Sequence, residues 1–355
     1  MATQRKIRDY GVVIGSMKTG KRNSITDVEG VTVGHTTLDD GDMKTGVTAI
    51  VPHPGNLFKE KVLGATYVIN GFGKTTGTIQ IDELGTIETP IILTNTLSVG
   101  VCTNALVKYM LEQNPEIGRT TGTVNPIVCE CNDMLLNDIR AGFVKEEHVF
   151  QALERASVDF DEGSVGAGTG MACFGFKGGI GSSSRLLEMS HGTYTIGVLV
   201  LSNFGLMKDF RLNGEPVGKK LSSVVPPPHK IEDQGSIIIV VATDLPVSER
   251  QLKRIMKRAS VGLSRTGSYF GNGSGDLVIG FSTATKQPHF PTLSLLTMET
   301  IHETDIDQAF IAVADATEEA ILNSMITAKT TIGRGGYTLY SLADFLGTVP
   351  RYFKV

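Results

Sequence analysis

The chain is short of the residues that mark several protein classes. It has no Trp, 13 Pro and only four Cys in 355 residues. Those cysteines, Cys102, Cys129, Cys131 and Cys173, are too few to staple a chain this long and fit a reducing cytoplasm. No purely apolar run is longer than that of Ile237 to Ala242, far short of a bilayer span. The N-terminal MATQRKIRDYG is charged and lacks an apolar core, so no signal peptide is read there. Lys and Arg number 33 against 37 Asp and Glu, and they are scattered, so no basic stripe points to nucleic acid. None of the seven His stands in a metal-binding array, and Cys129-Glu130-Cys131 has no second pair at zinc-ligand spacing. No metal or organic cofactor is expected.

Glycine is what the chain has in excess, 41 residues without a collagen period. Such a content predicts tight turns and close backbone approaches. Val- and Ile-rich runs alternate with helical patterns, as in an α/β protein. Strands are predicted at 46–51, 90–94, 194–201, 236–243 and 276–281. A helix over 248–264 opens on the capping box of Ser248 and Gln251. Further helices are predicted at 99–113, 147–156 and 306–327. The one long irregular excursion, Leu206 to Gln234, contains Pro226-Pro227-Pro228 and reads as a flap or interface arm. No repeat or linker divides the chain, so one domain is expected.

Glycine-rich motifs invite nucleotide readings, and these fail. Gly73-Lys74-Thr75 lacks the glycine that a phosphate loop needs five residues earlier, because position 68 is Val. The stretch Gly163 to Arg185 misses G-x-G-x-x-G, with Met171 at the last position. Its glycines suit close packing of two backbones or the wall of a pocket. Glu130, set in an apolar strand pattern, needs water or a cation and could bind an ammonium group.

Ser274, in GNGSGD before the apolar run Leu277 to Phe281, is the residue with the most open question. As local pattern it is a turn feeding a strand. It is not in G-x-S-x-G, so the hydrolase nucleophile elbow is absent, although a triad assembled in space stays open. Another base is available to any chain: cutting the peptide bond before a Ser creates an α-amine beside its hydroxyl. Such an amine has a pKa of about 7.7–8.0 against about 10.4 for Lys, so roughly a tenth is neutral at pH 7. It can take the hydroxyl proton directly or through one water. The cut itself needs a bent backbone, which flanking glycines permit, and donors aimed at the oxyanion.

Six blocks occur in order along the chain: NSITDVEGVTVGHTTL, NGFGKTTGTIQIDELGTIETPIILTNTLSVG, CNDMLLNDI, GSVGAGTGMACFGFKGGIGSSSR, VLVLSNFG and GNGSGDLVIGFST. Together they resemble the DmpA family of peptidases, the L-aminopeptidase/D-amidase-esterases and β-peptidyl aminopeptidases, over almost the whole length. The resemblance implies a four-layer α-β-β-α sandwich of the type shared with ornithine acetyltransferases. It implies a precursor that cuts itself at Gly273–Ser274 into an α chain, 1–273, and a β chain, 274–355. Ser274 then matches the nucleophile, Asn203 of SNFG the side-chain donor to the oxyanion, and Glu130 an acidic position for the substrate's amine. A family Ser-x-Glu pair that orients the centre matches Glu318, with Ala316 where Ser would stand and Thr317 beside it.

The activity so implied is release of N-terminal amino acids from peptides, amides or esters, by a cytoplasmic homo-oligomer of four αβ units. No nucleic acid or membrane partner is expected. The alternatives are acyl transfer to an amine, against which a Ser at position 274 argues, and a non-catalytic binding protein that never cuts.

Overall fold

A computed structural model of the chain describes residues 4–226, 235–291 and 293–348. In chain order its first half carries β1 (Thr32–Asp40), β2 (Met43–Val51), β3 (Glu60–Gly71), α1 (Thr78–Leu84), β4 (Thr86–Ile87), β5 (Ile91–Asn95), α2 (Val99–Gln113), β6 (Ile127–Cys131) and α3 (Glu146–Glu154). There follow β7 (Ala172–Cys173), β8 (Phe176–Lys177), β9 (Gly179–Met189), β10 (Gly192–Asn203), α4 (Gly218–Leu221) and β11 (Ser236–Thr243). The last part holds α5 (Glu249–Lys257), α6 (Ala259–Arg265), β12 (Gly275–Pro288), α7 (Ile306–Ile326), β13 (Thr331–Ile332) and β14 (Thr338–Leu339).

Two sheets stack face to face. One has the order β1-β2-β5-β6 and the other β4-β3-β12-β11-β10-β9. Between them lies an apolar layer drawn from both, including Val33, Ile50, Leu93 and Cys129 on one side and Leu199, Ile238, Val240 and Ile279 on the other. On the outer face of the four-stranded sheet, Val47, Ile92 and Val128 pack on Ala105, Leu106, Val149 and Ala152 of α2 and α3. On the outer face of the six-stranded sheet, Val198, Ile239 and Val278 meet Leu252, Ile255, Leu263, Val313 and Ile321 of α5, α6 and α7. The result is the expected α-β-β-α sandwich. Strands covered on both faces read as continuous apolar runs, and β11 is buried along all eight residues.

The sheet order puts the residue of interest at the centre. Strand β12 pairs parallel with β11 and antiparallel with β3, so Ser274, immediately before Gly275, stands at the head of a central strand. The parallel pairing is possible because α5 and α6 carry the chain back across the sheet. Ser248 caps α5 as predicted: its hydroxyl accepts from Gln251 N at 3.3 Å, and Gln251 Oε1 accepts from Ser248 N at 3.0 Å. The helix predicted over 248–264 is, however, broken at Arg258 into two segments.

Helix α7 departs further from its sequence pattern. An amphipathic helix with solvated Glu318 and Glu319 is the simple reading, yet every residue from Ala312 to Ile326 is buried. No helix among the described residues is long and apolar enough to cross a membrane. Of the excursion 206–234, residues 227–234 lie outside the described residues. The remainder holds a short turn of helix at Met207–Asp209 and α4.

Candidate active site

The turn before β12 is tied down from several directions. Ser274 N donates to Gly271 O at 2.9 Å, closing a tight turn through Asn272 and Gly273. Asn70, the penultimate residue of β3, donates its side-chain amide to Gly271 O at 3.1 Å, to Asn272 O at 3.3 Å and to Ser274 O. Phe72 N also donates to Ser274 O, at 3.3 Å. Gly275 N reaches Gly235 O and Ser236 Oγ, both at 3.3 Å.

The glycines act here through space more than through backbone angle. Left-handed backbone in this segment falls at Gly267 (φ 108°) and at Phe270 (φ 58°), not at the glycines beside Ser274. Gly275 is needed because a Cβ there would stand 2.6 Å from Phe72 O.

Ser274 itself is 2% exposed, and its hydroxyl donates to Asp276 Oδ1 at 2.6 Å. Alternation along a strand brings residues two apart to one face, which explains how Asp276 comes to face that hydroxyl. The ladder with β3 shifts register directly after Asp276, so the strand bends where the two side chains meet.

Beside this turn opens a cavity of about 620 Å³. Gly271, Asn272 and Gly273 form one wall, Asn203 and Gly235 another, and Phe72, Leu135 and Tyr337 give it apolar surface. Asn203 ends β10, opposite Ser236 of β11. Its amide is oriented at both ends: Oδ1 accepts from Ala172 N at 2.9 Å, and Nδ2 donates to Asn132 O at 3.0 Å. An amide nitrogen carries two protons, so among the described residues one is left to point at a ligand.

The peptide that supplies Ala172 is held by Lys177. Its buried ammonium donates to the carbonyls of Gly168, Met171 and Gly178 at 2.7–3.0 Å. Burial pulls that amine down to about 7, against the opposing pull of Asp39 and Asp133.

Glu130 stands on β6, with Cys129 and Cys131 turned into the inter-sheet layer on the other face of the strand. Its Oε1 accepts from Lys74 N at 2.9 Å, and its Oε2 accepts from the Thr96 hydroxyl. The loop 72–77 runs from the six-stranded sheet to the edge of β6, where Thr76 N donates to Val128 O at 2.9 Å. Gly73 in that loop leaves open the space between Glu130 Oε1 and Gly275 Cα. A Cβ there would lie 3.6 Å and 3.9 Å from them. The carboxylate therefore faces the region beside Ser274, although it is 4% exposed and is not among the residues lining the cavity.

Glu318 is not brought to this cluster. It faces α6, 3.6 Å from Arg265, and is neither a hydrogen-bond partner of Ser274 nor part of the cavity wall. Burial raises its carboxyl above the ordinary value, partly offset by Arg265. Ala316 is buried, and the Thr317 hydroxyl donates to Val313 O at 2.7 Å. The carboxylate that does contact the Ser274 hydroxyl, Asp276, was missed by sequence reasoning, as were Asn70 and Lys177. The signal for Asp276 was its i+2 spacing from Ser274 ahead of a strand. Among the described residues no three His, Cys, Asp or Glu side chains converge as a metal site.

Comparison with known proteins gives this geometry its context. The model of peptidase family S58 matches residues 23–339. The chain belongs to that family. The S58 chain is 38% identical to the β-peptidyl aminopeptidase BapA of Sphingosinicella microcystinivorans, over 99% of its own length and 93% of the relative's. A crystal structure of a Pyrococcus horikoshii OT3 protein superposes with a TM-score of 0.93 at 50% identity, covering 98% of this chain and 99% of that one. The L-aminopeptidase D-Ala-esterase/amidase of Ochrobactrum anthropi, described as a variant of the Ntn hydrolase fold, superposes at 0.90 with 35% identity, covering 98% of each. The S58 chain is thus a serine aminopeptidase of the N-terminal-nucleophile type.

Proposed function

We propose that the chain cuts itself between Gly273 and Ser274, and that the Ser274 so exposed is the nucleophile for release of N-terminal amino acids. The observation that carries this reading is that Gly273 and Asn203 line one cavity, with Ser274 the next residue along, at the head of β12. After the cut the new α-amine takes the hydroxyl proton, and Ser274 Oγ attacks the substrate's first carbonyl. The free proton of Asn203 Nδ2 meets the oxyanion, a contribution of roughly 3–4 kcal/mol for one good donor. Glu130 holds the substrate's own ammonium from the Gly73 side. The acyl-enzyme is then cleared by water.

The β chain would stay in place after the cut, because β12 is flanked by β11 and β3 and α7 is packed over β9 and β10. Substrates are short peptides, amides or esters with a free amine, the classes named for the BapA and Ochrobactrum anthropi relatives. Four αβ units per assembly and a cytoplasmic site belong to the same reading, supported by the family resemblance and by four buried cysteines that form no disulfide.

The test is Ser274→Ala. It leaves one uncut chain and lowers amidase activity by about 10⁶-fold, as for removal of a serine nucleophile elsewhere. Amino-acid release by that variant at more than a few per cent of the wild-type rate would place the chemistry on another residue.

A further inference from the structure

We propose that Asp276 is the base for self-cleavage, a catalytic residue for the first cut and distinct from the α-amine that serves afterwards. The inference rests on Gly273–Ser274 being the scissile bond. Before the cut that α-amine does not exist. Ser274 N is an amide whose lone pair is delocalised into the Gly273 carbonyl, and its proton is donated to Gly271 O at 2.9 Å. A precursor with only the mature base could never start.

The oxygen already in place at the hydroxyl belongs to Asp276, 2.6 Å from Ser274 Oγ and 1% exposed. That distance is within reach for direct proton transfer. The peptides around it are pinned by Asn70, on Gly271, Asn272 and Ser274, and by Phe72 N on Ser274 O. The carbonyls on both sides of the Gly273 residue are thereby fixed, which limits how the hydroxyl and the Gly273–Ser274 peptide can move relative to each other.

The step balances with water as the one added reactant. As Ser274 Oγ bonds to the Gly273 carbonyl carbon, its proton passes to the Asp276 carboxylate. The C–N bond then breaks, and the same proton moves to the departing nitrogen, leaving a free Ser274 amine and Gly273 as an ester on Oγ. Water hydrolyses that ester, giving the Gly273 carboxylate and restoring the hydroxyl. Nothing is oxidised or reduced.

The experiment follows cutting of freshly purified full-length chain by intact mass, with folding checked by circular dichroism and thermal melting. Asp276→Asn keeps the shape and removes the base, and is expected to slow cutting by at least about 100-fold while the protein stays folded. Asp276→Ala is expected to regain cutting in proportion to added sodium formate, a small carboxylate, and not with sodium chloride at equal ionic strength. If the Asn variant does not fold, the formate response of the Ala variant decides. Cutting by folded Asp276→Asn within about threefold of wild type overturns the proposal, as does a folded Ala variant indifferent to formate. A wild-type chain that never cuts would instead sink the reading of the scissile bond.

Discussion

Two buried polar clusters sit on the six-stranded sheet, and they are built from different materials. On its helix-covered face Arg185 of β9 meets Glu319 of α7 at 2.7 Å, Arg8 reaches the same carboxylate at 2.6 Å, and the Asn23 amide completes the set. Opposite charges are paired there at hydrogen-bond distance, with Arg185 Nε left without a hydrogen-bond partner. At the head of β12 the parts are a hydroxyl, a carboxylate and two amides around a peptide bond, beside an open cavity. The first cluster is built of paired charges, whereas the second lies beside an open cavity. Burial of polar groups alone therefore does not mark the site; what separates the two is where the remaining protons and lone pairs point.

Breaking the charge-paired cluster should hurt stability and spare chemistry. Glu319→Gln leaves Arg185 buried without its counter-charge and should cost about 3–5 kcal/mol, read from denaturant unfolding, while activity per folded molecule holds. Burial would raise the Glu319 carboxyl, but the hydrogen bond and charge of Arg8, the charge of Arg185 and the Asn23 amide hold it below its ordinary 4.5. A depressed folded value means the contribution is complete above 4.5 and lost as pH falls through the folded value. The Gln variant should accordingly lose part of the wild type's stability difference between pH 7 and pH 3. An unchanged unfolding midpoint would break the contrast between the clusters.

The opposite pattern is expected at Asn203. Replacing it by Ala removes one donor and should lower kcat by about 10²–10³-fold, with the melting temperature little changed. A loss confined to KM would mean the amide binds ground state and not the oxyanion. Glu318, next along the chain from Glu319, should matter least. Its folded value is raised, so the neutral form's advantage is full below 4.5 and fades as pH rises through the folded value. Glu318→Gln should be neutral or slightly stabilising at pH 7, within about 1 kcal/mol. A 100-fold loss of activity in that variant would return it to the catalytic centre.

Legibility in the sequence followed locality. Strand β11 was readable to the residue because Ile237 to Ala242 is apolar on both faces. Strand β9 was not, since GSSSR lacks apolar alternation: Gly181 is small to admit α7, a Cβ there coming within 2.7 Å of Ser324 Cβ. The Ser202 and Ser324 hydroxyls bond at 2.6 Å across the same contact. Glu319 reads as solvated because its partner Arg185 lies 134 residues away, a pairing no helical period can show. Ser274 and Glu130 stand out from local pattern and burial, but their roles, and Asn203 altogether, come through the motif blocks. Asn70 was hidden inside what reads as a simple NG turn, since the carbonyls it holds are more than 200 residues downstream.

The central claim is that this one chain becomes two at the head of a central strand. Intact mass of the purified protein after incubation, with N-terminal sequencing of the smaller fragment, tests it most directly. The account predicts that the 38.0 kDa chain gives way to two species, the smaller beginning Ser-Gly-Asp-Leu. A single full-length species that persists while amino acids are released from substrate would contradict it.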